Sequence, residues 1–123
     1  MLSVALIAAS TGFAWGQDVA AGAKVFKQCA PCHDVGEHAK NKVGPELNGL
    51  EGRKTGTVAG YNYSSANKNS AIVWNETTFL EYIKNPRAKI PGTKMPYAGL
   101  RKEEQAKNLW AYLKQFGPDG KKK

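Results

Sequence analysis

Apolar residues recur at helical spacing in three segments of this chain. In the first, Gly22 and Phe26 lie four positions apart on one face of a helix predicted to run from Val19 toward Cys29. Asp18 precedes this segment and can cap it, because a side-chain oxygen at this position accepts from an unpaired N–H of the first turn. The pattern therefore predicts a first helix near the beginning of the charged part of the chain.

The second segment begins at Asn75, which can also act as an N-cap, and Glu76 follows in the first turn, where the helix dipole favours a negative charge. Asn85-Pro86 is expected to stop this helix, because proline disfavours a helical conformation in the residue before it. Its apolar positions are Phe79, Leu80, Tyr82 and Ile83.

The third segment predicts a helix from about Lys102 to Phe116, ended by Gly117 and Pro118. Its apolar stripe consists of Ala106, Leu109, Trp110, Leu113 and Phe116.

Between the first two helices, the 41 residues from Asp34 to Trp74 show little periodicity of either kind. A compact domain seldom contains so long a connection without structure, and three modest helices bury little core by themselves. A large, flat, apolar cofactor wrapped by this loop would resolve both difficulties. No strand pattern stands out, so the predicted class is all-α, with three main helices and long loops around such a group.

Cys29-Ala30-Pro31-Cys32-His33 is the attachment signature of a c-type haem, with two thiols for the porphyrin vinyl groups and a histidine ligand for the iron. Three other interpretations of these residues are weaker. A zinc site lacks a second ligand pair, a thioredoxin-like redox site lacks a surrounding βαβ pattern, and a disulfide between Cys29 and Cys32 would close almost no loop.

Residues 1–16 are apolar or small and uncharged, and Ala14 and Gly16 have the spacing of a signal-peptidase site. We therefore expect a signal peptide over 1–16, a domain over 17–123 with a short basic C-terminal tail, and a periplasmic protein. An uncleaved anchor is the alternative, although the run is short for a bilayer span. The segment lacks a basic beginning, which leaves open a start upstream of Met1.

The formal net charge is +8, and 15 of the 18 basic residues are lysines. Lysine-dominated charge favours diffuse steering toward acidic surfaces over the bidentate contacts that arginine makes to phosphates. No nucleic-acid-binding module is recognisable, so we expect no nucleic-acid partner.

Met95 is the only methionine besides Met1, and it lies in a loop stiffened by Pro91 and Pro96. A lone methionine is commonly core filler, but a rigid, polar loop is not the usual place for filler. Given a haem on His33, we predict Met95 as the second axial ligand. His38 is too close to His33 in sequence to reach the opposite haem face and is interpreted as a solvated loop residue.

Over residues 17–116, the chain resembles class I c-type cytochromes of the mitochondrial-like bacterial kind. The resemblance rests on the following residues: Gly22 and Phe26, the CxxCH motif, Gly44-Pro45, Gly49-Leu50, 52–56, Tyr63, 66–69, Trp74, Tyr82, Asn85-Pro86, 91–95 and Leu109 with 111–113. It implies the small cytochrome c fold around one covalent haem c.

The resemblance also implies roles for individual residues. Pro45 is expected to offer its carbonyl to the free ring nitrogen of His33, and Gly22 and Phe26 are expected to pack against Leu109 and Tyr112. Arg53, Tyr63 and Trp74 are expected to hold the haem propionates, although plain aromatic packing is the alternative for the last two. Tyr82, Thr93 and Asn67 are expected to form a polar cluster on the methionine side.

With both axial positions filled, the iron has no open site, which favours outer-sphere electron transfer over enzymatic chemistry. The resemblance implies a monomeric carrier, peripheral at the membrane, between a quinol-oxidising cytochrome bc complex and a terminal oxidase or photosynthetic reaction centre. A denitrification or methanol-oxidation enzyme is left open as the downstream partner. The alternative is a haem c enzyme or gas sensor with a labile sixth ligand.

Docking would use acidic partner surfaces and a basic ring around the haem edge, although a solubilising charge is the better interpretation of any one of these lysines taken alone. The ring consists of Lys24, Lys27, Lys40, Lys42, Arg87, Lys94, Arg101 and Lys102. The chain departs from the family pattern at Tyr97, at Ala88 and by one residue missing before Cys29. None of these departures removes a ligand.

Overall fold

The computed structural model describes residues 18–123 and contains five helices in this range. They are α1 (Val19–Phe26), α2 (Ser65–Asn69), α3 (Glu76–Lys84), α4 (Pro86–Lys89) and α5 (Glu103–Leu113). Within the described range, extended pairing is limited to two isolated antiparallel bridges. The predicted all-α class with three main helices and long loops is therefore confirmed. The signal peptide predicted over 1–16 lies outside the described residues.

Side-chain caps fix the starts of α1 and α3 as predicted. The Asp18 carboxylate accepts from the Ala21 N–H at 3.0 Å. Asn75 and Thr78 form a reciprocal capping box, in which each side-chain oxygen accepts from the other residue's backbone N–H at 2.9 Å. Both caps satisfy N–H groups that have no partner within the helix.

The two short helices were not predicted. Asn85-Pro86 does end α3 at Lys84, but the Asn85 side chain also accepts from the Ala88 N–H at 3.3 Å and starts α4. Within the long loop, Ser64 caps α2 in the same way, accepting from the Asn67 N–H at 3.2 Å. The segment from 34 to 74 is therefore not wholly irregular.

The ends of α1 and α5 differ from the prediction. α1 stops at Phe26, and the chain continues to His33 through turns in which the His33 N–H donates to the Cys29 carbonyl at 2.9 Å. α5 stops at Leu113, and the residues after Phe116 fold back so that Phe116 pairs with Lys122. The fold-back satisfies backbone groups near the helix end that a longer helix would have paired internally.

The core forms where α1 crosses α5. A Cβ placed on Gly22 would lie 2.0 Å from the Asn108 carbonyl oxygen, so only glycine permits this approach. Phe26 packs on Tyr112 with ring centroids 5.3 Å apart, and Phe79 brings α3 onto Trp110 of α5 at 5.1 Å. The expected packing of the first helix on the last is thus observed.

The second half of the long loop is closed by a short antiparallel pairing. The Thr55 N–H donates to Ile72 at 2.8 Å, and the Trp74 N–H donates to the Arg53 carbonyl at 2.9 Å. This short antiparallel pairing places Arg53 and Trp74 side by side, although 20 other residues separate them in sequence. No helix of the described range is long and apolar enough to cross a membrane.

Candidate haem site

A cavity of about 300 Å³ lies between the helices and the loops. Its walls are largely apolar and include the buried side chains of Leu50, Phe79, Ile83, Leu109 and Leu113. All ten residues predicted from the sequence to bind haem or iron line this single cavity: Cys29, Cys32, His33, Arg53, Tyr63, Asn67, Trp74, Tyr82, Thr93 and Met95. The fold therefore brings them together, while their individual roles remain predictions.

Cys29 and Cys32 follow α1 on the turns that lead to His33. Both thiols are free and partly buried. Burial, assisted by the neighbouring Cys32, raises the pKa of Cys29 to about 11, so this sulfur is a neutral thiol at neutral pH. Two thiols and an imidazole at the edge of an apolar cavity match the donor set needed to attach and ligate a porphyrin iron.

The His33 ring is fixed by the loop opposite. Its Nδ1 atom lies 2.7 Å from the Pro45 carbonyl oxygen and donates to it, which leaves Nε2 free to bind a metal. A Cβ placed on Gly44 would lie 2.4 Å from the ring, so the backbone lies directly against the imidazole. Burial lowers the pKa of His33 and favours the neutral ring that a metal requires.

Met95 lies on the other side of the cavity with a hydroxyl beside its sulfur. The Tyr82 hydroxyl lies 3.3 Å from Met95 Sδ and 3.3 Å from Thr93 Oγ1. Burial raises the pKa of Tyr82, so its proton is retained well above neutral pH. Asn67 lines the same cavity, and its part in the predicted polar cluster stays a prediction.

Arg53, Tyr63 and Trp74 line the cavity together, but two of them have protein partners. One Arg53 Nη donates to the carbonyl oxygens of Glu46 and Asn48, both at 3.0 Å. The Tyr63 hydroxyl accepts from the Val58 N–H at 3.0 Å and remains free to donate to another group. Trp74 packs edge-on against the Tyr82 ring at 5.1 Å.

Tyr61 was missed by sequence reasoning, although it joins three loops at the mouth of the cavity. Its hydroxyl donates to the Val43 carbonyl at 2.7 Å, and Lys94 lies over its ring at 4.7 Å while donating to the Asn62 carbonyl. Val43 itself is 69% exposed and lines the cavity. The sequence offered only the closeness of Tyr61 to Tyr63 as a signal.

Glu46 and Asn48 were also missed. Asn48 pairs its amide with the Gly36 peptide at 2.9 and 2.8 Å, and Glu46 lies beside Arg53. Both residues hold the loop that carries Pro45.

Comparison with known proteins places this site in a family. The Cytochrome c family model matches residues 19–117. A cytochrome c2 of Rhodoplanes tepidamans is 67% identical over 107 residues, covering 87% of this chain and all of that protein. A cytochrome c2 of Blastochloris viridis is 58% identical over 118 residues, covering 96% and 93%. The solved structure of cytochrome cH from Methylobacterium extorquens superposes with a TM-score of 0.75 at 38% identity, covering 80% and 98%.

These relatives confirm the resemblance drawn from the sequence, the small cytochrome c fold and the covalent haem c. The largely apolar cavity, the paired thiols and the oriented imidazole are consistent with that group. This chain belongs to the cytochrome c family and is an electron carrier, not an enzyme.

Proposed function

We propose that this chain is a soluble periplasmic carrier that exchanges single electrons through a six-coordinate haem c with His33 and Met95 as axial ligands. The observation that carries the proposal is that an oriented imidazole and a thioether line one cavity beside two free thiols. Cys29 and Cys32 would hold the haem through thioether bonds. The haem supplies the one-electron iron chemistry.

The protein's own residues prepare this site for electron transfer. Pro45 keeps the His33 ring in one tautomer and orientation, and Tyr82 keeps the Met95 sulfur in place. The haem propionates would bind at Arg53, Tyr63 and Trp74. Two negative charges would then lie near a largely buried guanidinium. Because both ligands are fixed by the fold, an electron can enter or leave with little rearrangement.

The partners would be a quinol-oxidising cytochrome bc complex and a terminal oxidase or photosynthetic reaction centre. All eight side chains of the proposed basic ring are exposed and therefore available to acidic surfaces. The carrier would act as a monomer. Residues 1–16 would be removed on export, so the purified periplasmic protein should begin at Gln17, which mass spectrometry of the intact protein tests.

The ligand pair is tested by visible spectroscopy of the purified holoprotein in both redox states and by carbon monoxide. We expect a weak ferric methionine–iron charge-transfer band, which Met95→Ala abolishes, and slow or absent carbon monoxide binding to the ferrous wild-type protein at neutral pH. Met95→Ala should bind carbon monoxide rapidly. Rapid binding by the wild-type protein would contradict the proposal and favour a haem enzyme or gas sensor with a labile sixth ligand.

A further inference from the structure

Glu46 connects the loop that orients His33 with Arg53. It directly follows Pro45, whose carbonyl oxygen accepts from His33 Nδ1 at 2.7 Å. Its carboxylate Oε1 lies 3.7 Å from Arg53 Nη1, and Oε2 accepts from the Asn48 N–H at 2.6 Å. The carboxylate is therefore held at both oxygens, between a cation that lines the cavity and a backbone amide.

This ion pair is poorly exposed to solvent. The Arg53 side chain is 15% exposed and the Glu46 side chain 23%. The same Arg53 Nη1 atom also donates to the carbonyl oxygens of Glu46 and Asn48. The position of the guanidinium therefore depends on the position of this loop. Charges in such a place are screened less by water and salt than charges on the open surface.

We infer that Glu46 lowers the reduction potential of the haem by balancing the charge of Arg53 and fixing its position. This inference rests on the proposed function, in which Arg53 faces the propionates. Glu46 is a positioning residue, because its contacts are with Arg53 and Asn48 rather than with the reacting group.

The direction of the effect follows from charge. The ferric centre carries one more positive charge than the ferrous centre, so a nearby carboxylate stabilises the ferric form. The same carboxylate offsets part of the positive charge that Arg53 presents to the propionates. Loss of the Glu46 charge removes both effects, and each loss favours the ferrous form.

Glu46→Gln is the test, since an amide oxygen can still accept from the Asn48 N–H while the charge is removed. We expect the ferric–ferrous equilibrium of the holoprotein at neutral pH to shift toward ferrous by about threefold, which is about 28 mV for a one-electron couple. Spectroelectrochemical titration measures the midpoint potential directly. Glu46→Asp retains the charge, and its potential should stay nearer to the wild-type value.

Glu51→Gln is the matched control. It also removes one carboxylate, but Glu51 is exposed and bonds to Lys123 at 3.4 Å, outside the cavity lining. The midpoint potential of Glu51→Gln should differ from that of the wild-type protein by less than a third of the Glu46→Gln shift. Should Glu46→Gln fail to yield holoprotein, Glu46→Asp and Glu46→Asn form a second pair that differs in charge at equal length.

The outcomes separate this inference from the function on which it rests. If the ferric methionine–iron band is present in the wild-type protein and the variants but Glu46→Gln leaves the potential unchanged, the inference alone is overturned. The same holds if Glu51→Gln shifts the potential equally. If the wild-type protein lacks the band, the proposed ligation and the inference fail together.

Discussion

The hydroxyl of Tyr82 on α3 lies 3.3 Å from the sulfur of Met95 in the loop that follows α4. In the proposed ligation, a donor at this sulfur would withdraw electron density from the thioether and so weaken its stabilisation of ferric iron. Tyr82→Phe removes the donor but keeps the ring that packs on Trp74. We expect the ferric–ferrous equilibrium to move toward ferric by about threefold, as measured by redox titration.

Tyr97→Phe is the control for that change. Tyr97 also lines the cavity, but its hydroxyl donates to the exposed Gln28 side chain at 3.1 Å. The midpoint potential of Tyr97→Phe should therefore stay close to that of the wild-type protein. Equal shifts in the two variants would contradict a specific effect on the sulfur.

Gly44→Ala should disturb the histidine ligand. The added Cβ would lie 2.4 Å from the His33 ring, and the ring can move away only by breaking its hydrogen bond to the Pro45 carbonyl. We expect a loss of about 1–3 kcal/mol in the free energy of unfolding, together with a changed Soret spectrum. Glu37→Ala, a change at an exposed position of the same loop outside the cavity lining, should leave the spectrum unchanged.

Gly22→Ala should destabilise the crossing of α1 and α5 without touching the cavity. The new methyl group would meet the Asn108 carbonyl oxygen at 2.0 Å, which outweighs the gain in helix propensity. Denaturant unfolding of the holoprotein should show a loss of about 1–3 kcal/mol. Ala20→Ser, on the exposed side of α1, should cost less than about 0.5 kcal/mol. Equal losses would argue against the close contact.

Acid should destabilise the fold through His33. Burial lowers the pKa of His33 in the folded chain, and an iron bond to the ring would lower it further, whereas the unfolded chain titrates near 6.5. Below pH 6.5 the unfolded state therefore binds more protons than the folded state. The free energy of unfolding thus decreases as the pH is lowered and is largest above pH 6.5. Unfolding measured between pH 7.5 and 5 tests this, and a flat profile would contradict it.

Association should depend on the basic ring. Lys27→Glu and Lys114→Glu lower the net charge equally, but only Lys27 adjoins the Gln28–Cys29 edge of the cavity. Stopped-flow oxidation by ferricyanide, a small trianion, should slow as salt rises, and Lys27→Glu should slow it by about two- to fivefold at low salt. An oxidation rate that does not depend on salt, or equal effects of the two variants on this rate, would contradict the prediction.

The helices that the sequence predicted are those whose signals are local. The caps at Asp18 and Asn75 depend on residues within four positions, and α3 and α5, with nine and eleven residues, are each longer than two turns. α2 has five residues and α4 has four, which is too short to show a period. The end of α5 was misjudged because the tail that folds back on Phe116 is a tertiary feature.

The sequence was sufficient to predict which residues line the candidate site, but it did not predict the residues that support them. The CxxCH motif and the single loop methionine identify themselves by residue type and spacing, and the family resemblance added the polar residues around them. Neither the residue type nor the spacing of Glu46 and Asn48 identifies them as site residues. Their partners, Arg53 and Gly36, come into contact with them only when the loop has folded. Their contribution became visible through hydrogen bonds, not through composition.

The crossing of α1 and α5 also has a consequence for the order of events during synthesis. The two helices that form this contact are the first and last of the described chain, and eight or eleven residues make a marginal helix in isolation. Until α5 has been made, Phe26 lacks the partner that buries it, and the segment after it has no fixed support. Cys29 and Cys32, partly buried in the finished fold, should therefore stay accessible for haem attachment until α5 has packed on α1.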